Sequence, residues 1–164
     1  MSVQALFGLS VLMNFAAFGL LTALYIWPRV RTLRREDALT ALLVPHTFRF
    51  VGLSFLVPGV VAASLPSAFA APAAYGDLVA ALLAIAAILA LTSGASWAIP
   101  LVWLFNVWGT GDLLNAFYQA QIRVGLSPEL LGAAFYIPTL VVPPLLVIHG
   151  LIFRLLVQTK TRLA

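Results

Sequence analysis

The sequence predicts an all-α membrane protein, a helical bundle with five transmembrane helices. Of its 164 residues 63% are apolar and only 9% are charged, and the mean hydropathy is +1.07. Soluble domains are typically about half apolar and about a quarter charged, so a water-soluble fold of this composition would lack the polar surface to cover itself. The apolar residues also gather into segments of roughly 20 residues, the length at which a helix crosses a bilayer.

Five such segments account for nearly the whole chain, which is therefore predicted to form one transmembrane domain, residues 1–164. The expected spans are residues 3–27, 38–65, 75–92, 97–121 and 128–157. The second and fifth spans contain prolines, which kink or interrupt helices. The start of the second span stays open, because Pro45 is also suited to be the first helical residue.

The basic residues predict the orientation of the bundle. Seven of the nine lie on one side, namely four arginines in residues 29–35 together with Arg154, Lys160 and Arg162. Lys and Arg concentrate in cytoplasmic loops. We therefore expect the N-terminus outside, the C-terminus in the cytoplasm and residues 64–76 in an outer loop. The expected location is a bacterial inner (plasma) membrane, with the lipid bilayer as the main partner.

Composition and motifs exclude several classes of function. The net charge of +4 forms no nucleic-acid-binding patch, because the basic residues sit at the ends of spans. There are no cysteines, which excludes disulfides, thiolate metal sites and cysteine nucleophiles. No phosphate-binding glycine loop, three-ligand metal motif or serine nucleophile turn is present. The sequence therefore predicts no metal site and no catalytic residue, and disfavours an enzyme.

Polar residues within the fourth span indicate that this helix is central in the bundle. Trp108, Asp112, Asn115 and Gln119 recur at i, i+4, i+7 and i+11, which places them on one stripe of a helix. Asn106 lies on the opposite face. A helix that is polar on two faces is poorly suited to lipid, so neighbouring helices are expected to surround it.

An ion pair between Arg49 and Asp112 is expected inside the membrane. At 1.5 Å per residue they lie roughly 16 and 22 Å from the cytoplasmic boundary, an offset that an arginine side chain can reach. The pair serves either a functional site or helix packing alone. In a simple pair, Asp112→Asn should destabilise more than Arg49→Ala, because guanidinium stays charged whereas a carboxylate can take up a proton. Asn14 and Asn106 are expected to bond neighbouring helices, and Asp77 to be a solvated helix-start residue without function.

The leading functional hypothesis is a protein that binds or carries a small ligand or ion inside the bundle, walled by the first, second, fourth and fifth spans. The expected lining residues are His46, Arg49, Asn106, Trp108, Asp112, Asn115 and His149. Arg49 suits an anionic or carbonyl-bearing ligand, and Asp112 can carry a proton. The chain is small for transport by alternating access, which favours a homodimer.

Two alternatives remain open at the level of sequence. The first is a b-type haem protein with His46 and His149 as axial ligands. The second is a non-catalytic subunit of a larger membrane complex, which the alanine-rich third span and the lack of extramembrane domains favour. Haem is the one cofactor that these residues suggest, and only in the first alternative.

Overall fold

The computed structural model describes residues 1–158, which form helices and no strand. The five long helices are α1 (Val3–Val30), α2 (Arg35–Leu56), α3 (Ser67–Thr92), α4 (Ala98–Tyr118) and α5 (Ile137–Val157). The all-helical class is confirmed. Lys160, Arg162 and the C-terminal Ala164 lie outside the described residues, so the cytoplasmic C-terminus stays a prediction.

Four of these helices, α1, α2, α3 and α5, are long and apolar enough to cross a membrane. The fourth helix, α4, is 21 residues long but does not belong to this group. Its polar residues, among them Asn106, Asp112 and Asn115, lower its hydropathy. That α4 crosses the membrane, which would make five spans in all, and the orientation of the bundle therefore remain predictions.

Helix α2 changes its geometry part-way along its length. It is α-helical over Arg35–Leu43 and a 3₁₀-helix over Val44–Leu56. The change falls beside Pro45, which has no N–H to continue the α-helical ladder. A 3₁₀-helix has three residues per turn, so residues three apart form one row. The buried row contains His46, Arg49, Gly52 and Phe55. The helix begins at Arg35, upstream of Pro45, and it ends at Leu56, so the expected end at residue 65 was wrong.

Helix α3 begins at Ser67, eight residues before the expected start of the third span. Pro72 lies inside the helix, where the surrounding alanines, the best helix formers, sustain it. Residues 67–76 are therefore helical and not part of a loop, whereas the outer position of this connection stays a prediction. The connection between α2 and α3 covers only residues 57–66, and Asp77 lies well inside the helix.

The fifth predicted span, residues 128–157, is divided in two. A short 3₁₀-helix, Pro128–Phe135, precedes α5 and is kinked at Gly132, whose φ of 51° is readily adopted by glycine. A Cβ at this position would also meet the carbonyl oxygen of Val60. The membrane-crossing candidate begins only at Ile137.

The two ends of the bundle differ. Arg35 donates to the carbonyls of Leu155 and Leu156, at 3.1 and 2.8 Å, so the α1–α2 connection lies beside the end of α5. We call this end of the bundle the basic end. This half is filled by fully buried side chains, among them those of Leu39, Leu43, Val102 and Ile152. The opposite end, which holds residues 57–66 and 124–136, has a second apolar cluster that includes Phe55, Phe69 and Leu131.

Candidate functional site, an arginine centre beneath an apolar pocket

A buried arginine lies between the two apolar clusters. The Nε of Arg49 donates to Oδ1 of Asp77 at 2.7 Å, and its Nη2 donates to Oδ2 of Asp112 at 2.6 Å. Its Nη1 donates to the carbonyl of Gly109 at 3.1 Å. The Arg49–Asp112 ion pair expected from helix depths is present. We call Arg49, its two carboxylates and His149 the arginine centre, which α2, α3, α4 and α5 build together.

The second carboxylate corrects the prediction for Asp77. It is buried and ion-paired to Arg49, so it is not a solvated residue at a helix start. The error came from placing the helix start beside Asp77, whereas the helix begins ten residues earlier, at Ser67. One signal was available in the sequence. Asp77 directly precedes a long apolar run, and an acidic residue in that position needs a cationic partner for the same reason as Asp112.

His149 supports Arg49 from the side away from the carboxylates. Its Nδ1 lies 2.7 Å from Oδ1 of Asn106, whose Nδ2 donates to the backbone carbonyl of His149 at 3.2 Å. The Asn106 oxygen therefore accepts from Nδ1–H, which leaves Nε2 as an acceptor. This Nε2 lies 3.4 Å from Nη1 of Arg49. Asn106 thus bonds a neighbouring helix, as expected, and also fixes the orientation of an imidazole that contacts Arg49.

His46 lies one 3₁₀ turn before Arg49 and is fully buried. Its ring packs against His149, with 4.2 Å between centroids, and edge-on against Phe105 at 5.0 Å. Neither of its ring nitrogens has a hydrogen-bond partner among residues 1–158. The predicted proximity of the two histidines is therefore present, and His46 lies between His149 of the arginine centre and Phe105 of the basic-end cluster.

Three glycines allow the charged groups to approach the helix backbones. A Cβ on Gly76 would collide with Oδ1 of Asp112, and a Cβ on Gly52 would collide with Oδ2 of Asp77. A Cβ on Gly109 would come within 2.7 Å of the His149 ring and 2.8 Å of Nη1 of Arg49. Glycines on α2, α3 and α4 thus lie where side chains of the centre approach from a neighbouring helix. Sequence reasoning assigned no role to Gly76 or Gly109, and it considered Gly52 only as room for a haem in the first alternative.

Of the seven expected lining residues only Asp112 lines the pocket described below, and two of the others do not contact Arg49 or His149. Trp108 is half-exposed, and its Nε1 donates to the carbonyl of Gly76 at 3.5 Å, beside the centre. Asn115 is exposed and lies outside the cluster. The polar stripe of α4 does not coincide with the buried face, which follows the side of Asn106. The buried residues of α4 are Ala98, Val102, Phe105, Asn106, Gly109 and Leu113.

An apolar pocket lies between the arginine centre and the opposite end of the bundle. It is partly open to the surroundings, and its empty space, including that open part, is about 590 Å³. All five helices contribute to it, including α3, which was not expected to form a wall. Phe7, Phe55, Phe69 and Phe117 are among its wall residues. Its two charged lining residues are Asp77 and Asp112, whereas Arg49 and both histidines lie behind them.

One family profile matches most of the chain. A profile described as a domain of unknown function, DUF8737, matches residues 6–157. The chain belongs to this family. No curated protein and no solved structure matches the chain. In this DUF8737 protein the matched region contains the complete arginine centre and every residue that lines the pocket.

The histidine pair of the DUF8737 protein does not fit a bis-histidine haem. Two axial imidazoles bind the iron from opposite faces of the macrocycle at about 2 Å each, so their ring centroids would stand about 6 Å apart. Here the two rings are in direct contact at 4.2 Å between centroids, and Phe105 stacks on His149 at 5.3 Å. In addition, Nε2 of His149 faces Arg49. Among the described residues no group of three His, Cys, Asp or Glu residues is placed to hold a metal ion.

Proposed function

We propose that this protein binds a small cationic ligand with an apolar body, and that Asp77 and Asp112 hold the charged group. One observation carries the proposal. Two carboxylates line the apolar pocket, and a single guanidinium pairs with both of them from behind. The expectation of an anionic ligand on Arg49 is replaced, because the acceptors of the protein itself surround that side chain.

The charge balance favours a cation in the pocket. With both carboxylates ionised and the histidines neutral, the centre carries one negative charge in excess. An uncompensated buried charge is costly in a low-dielectric surrounding, and a partner of opposite sign reduces that cost. An ammonium group between Asp77 and Asp112 would supply this partner.

The pocket walls favour an apolar body on the same ligand. Four phenylalanines stand among the wall residues, and aromatic faces attract cations as well as apolar groups. An arylalkylamine combines the two properties that the floor and the walls select.

The proposal includes a topology. In it α4 also crosses the membrane, so that the bundle has five spans. The N-terminus is outside a bacterial inner membrane, and the pocket is reached from the outer side. The arginines at the basic end support this orientation. The tightly packed basic-end cluster supports binding rather than free passage, since transport would require that half of the bundle to separate.

Binding of phenethylammonium to the purified protein in detergent tests the proposal. Calorimetry should detect binding of the cation, and should detect at least tenfold weaker binding of 2-phenylethanol and 3-phenylpropanoate, which share the ring but not the positive charge. Asp112→Asn should weaken phenethylammonium binding at least tenfold, about 1.4 kcal/mol. Asp37→Asn is the matched control, because Asp37 also pairs with an arginine but is exposed.

Two results would contradict the proposed function. Equal affinity for the amine and the alcohol would show that charge is not recognised. An equal loss in the Asp37→Asn and Asp112→Asn variants would show that the binding does not depend on the pocket.

A further inference from the structure

We infer that the Asp77–Asp112 pair holds one proton when the pocket is empty, and that an arriving cation displaces it. The site would then exchange a proton for an organic cation. This inference rests on the proposed function and adds a second ligand, the proton, at the same two carboxylates.

The first argument is the arrangement of charged and titratable groups around the pair. Arg49 faces the pair from α2, and α3 and α4 supply Asp77 and Asp112 themselves. His149 of α5 and His46 of α2 lie behind the guanidinium, and α1 contributes the apolar Phe7 to the pocket. Within the described part of the chain, the two carboxyl groups are therefore the only proton-binding groups that line this pocket.

The second argument is that each carboxyl group has one oxygen left for a proton or a cation. Arg49 engages Oδ1 of Asp77 and Oδ2 of Asp112. The other two oxygens, Oδ2 of Asp77 and Oδ1 of Asp112, lie against Gly52 and Gly76, where a Cβ would collide with them. The glycines thus allow these two oxygens to lie against the helix backbones, in the positions that a methyl group would occupy.

The third argument is the balance of charge in both states. In the empty state one guanidinium, one carboxylate and one carboxylic acid sum to zero. In the occupied state one guanidinium, two carboxylates and one ammonium also sum to zero. The single bond that breaks is the O–H bond of the carboxyl group, and its proton leaves to water. Neither state contains an uncompensated charge in the low-dielectric interior.

Proton counting by calorimetry tests the inference on the wild-type protein. Phenethylammonium binding is measured between about pH 5 and pH 8, where an alkylammonium stays protonated. At each pH two amine-free buffers are used that hold that pH and have different heats of ionisation. The buffer-dependent heat should correspond to release of up to about one proton per bound amine. The apparent Kd should fall by up to about tenfold per pH unit as the pH rises.

A carboxyl variant and a matched control assign the proton to the pair. Asp112→Asn leaves one carboxylate and one guanidinium, a neutral set that needs no proton, so its residual binding should release none. Asp37→Asn removes an exposed carboxylate and should release protons as the wild type does.

The outcomes separate this inference from the proposed function. Amine binding with a flat Kd over the whole pH range and no dependence on buffer would overturn the proton exchange while leaving the cation site intact. Absence of amine binding at every pH would overturn both. The same proton release from Asp112→Asn as from the wild type would place the proton elsewhere and also overturn the inference.

Discussion

Two polar sites among the helices, the arginine centre and the side chain of Asn14, satisfy polar groups in different ways. The Nδ2 of Asn14 on α1 donates to the carbonyls of Thr139 and Leu140 on α5, at 2.9 and 2.8 Å. In a regular α-helix these carbonyls would accept from the residues four positions later. Those residues are Pro143 and Pro144, which have no N–H to donate.

The comparison shows that balance, rather than polarity alone, distinguishes a packing contact from a candidate site. Asn14 has two amide hydrogens for the two carbonyls that the prolines leave free, and the set is complete. The arginine centre has two carboxylates for one guanidinium, and those carboxylates line a pocket. The first set needs nothing more, whereas the second has the capacity to accept a positive charge.

Arg49→Ala should have the largest effect on stability. It leaves Asp77 and Asp112 close together without a cation and opens a cavity, so the free energy of unfolding should fall by about 3–5 kcal/mol. Asp112→Asn should cost less, about 1–2 kcal/mol, because Arg49 keeps Asp77 as its partner. This order reverses the one expected for a simple pair. Equilibrium unfolding in mixed detergent micelles, followed by circular dichroism, measures both variants.

A combined variant separates charge from packing in this comparison. Arg49→Ala together with Asp77→Asn and Asp112→Asn removes the unpaired charges and should recover part of the stability. Arg34→Ala, which breaks only the exposed pair with Asp37, should leave the unfolding transition unchanged. A loss from Asp112→Asn as large as that from Arg49→Ala would show that Asp77 does not balance the arginine.

Gly109→Ala should have an intermediate effect, because the added methyl group meets two members of the arginine centre. The new Cβ would lie 2.7 Å from the His149 ring and 2.8 Å from Arg49 Nη1, so one of these side chains must move. Overpacking of this kind costs about 1–3 kcal/mol. Gly111→Ala is the matched control on the same helix, since nothing lies within 4 Å of its Cβ position, and it should be neutral or stabilising. The same unfolding assay compares them, and equal behaviour would argue against a tightly enclosed centre.

The sequence predicted the membrane helices better than it predicted their ends. Apolar length marked the cores of α1, α2, α3 and α5, because the bilayer imposes that length. The predicted ends of the helices depended on prolines, whose effect on a helix is determined by the residues that pack around them. Pro45 changes the helix type without ending the helix, and Pro72 is accommodated within α3. Such outcomes follow from tertiary packing, which residue type alone does not report.

The candidate site was predicted in part, for a related reason. Arg49, Asp112, Asn106 and the two histidines were identified because polar groups inside a membrane demand partners. Asp77 was misassigned because its helix begins at Ser67, eight residues before the predicted start at residue 75. The stripe through Asn115 was misleading, because a helical periodicity shows which residues share a face but not which neighbour that face meets.

Asn14→Ala should have the smallest effect of the three variant series, about 0.6–1.7 kcal/mol, the range measured for hydrogen bonds between membrane helices. The loss arises because the carbonyls of Thr139 and Leu140 are left without donors. Asn115→Ala is the control, since it removes an exposed amide from α4 and should be close to neutral. The same detergent unfolding assay measures both variants.

A variant without Pro143 and Pro144 tests whether the Asn14 side chain is needed because these prolines have no N–H to donate. Pro143→Ala with Pro144→Ala restores two backbone N–H groups to α5, and these can bond the carbonyls of Thr139 and Leu140 within the helix. In that background Asn14→Ala should cost less than it does in the wild type, because the carbonyls no longer depend on the amide. The coupling energy of this cycle reports the interaction directly. An unchanged cost would mean that Asn14 stabilises the bundle through its packing alone, and the contrast with the arginine centre would then rest on the centre only.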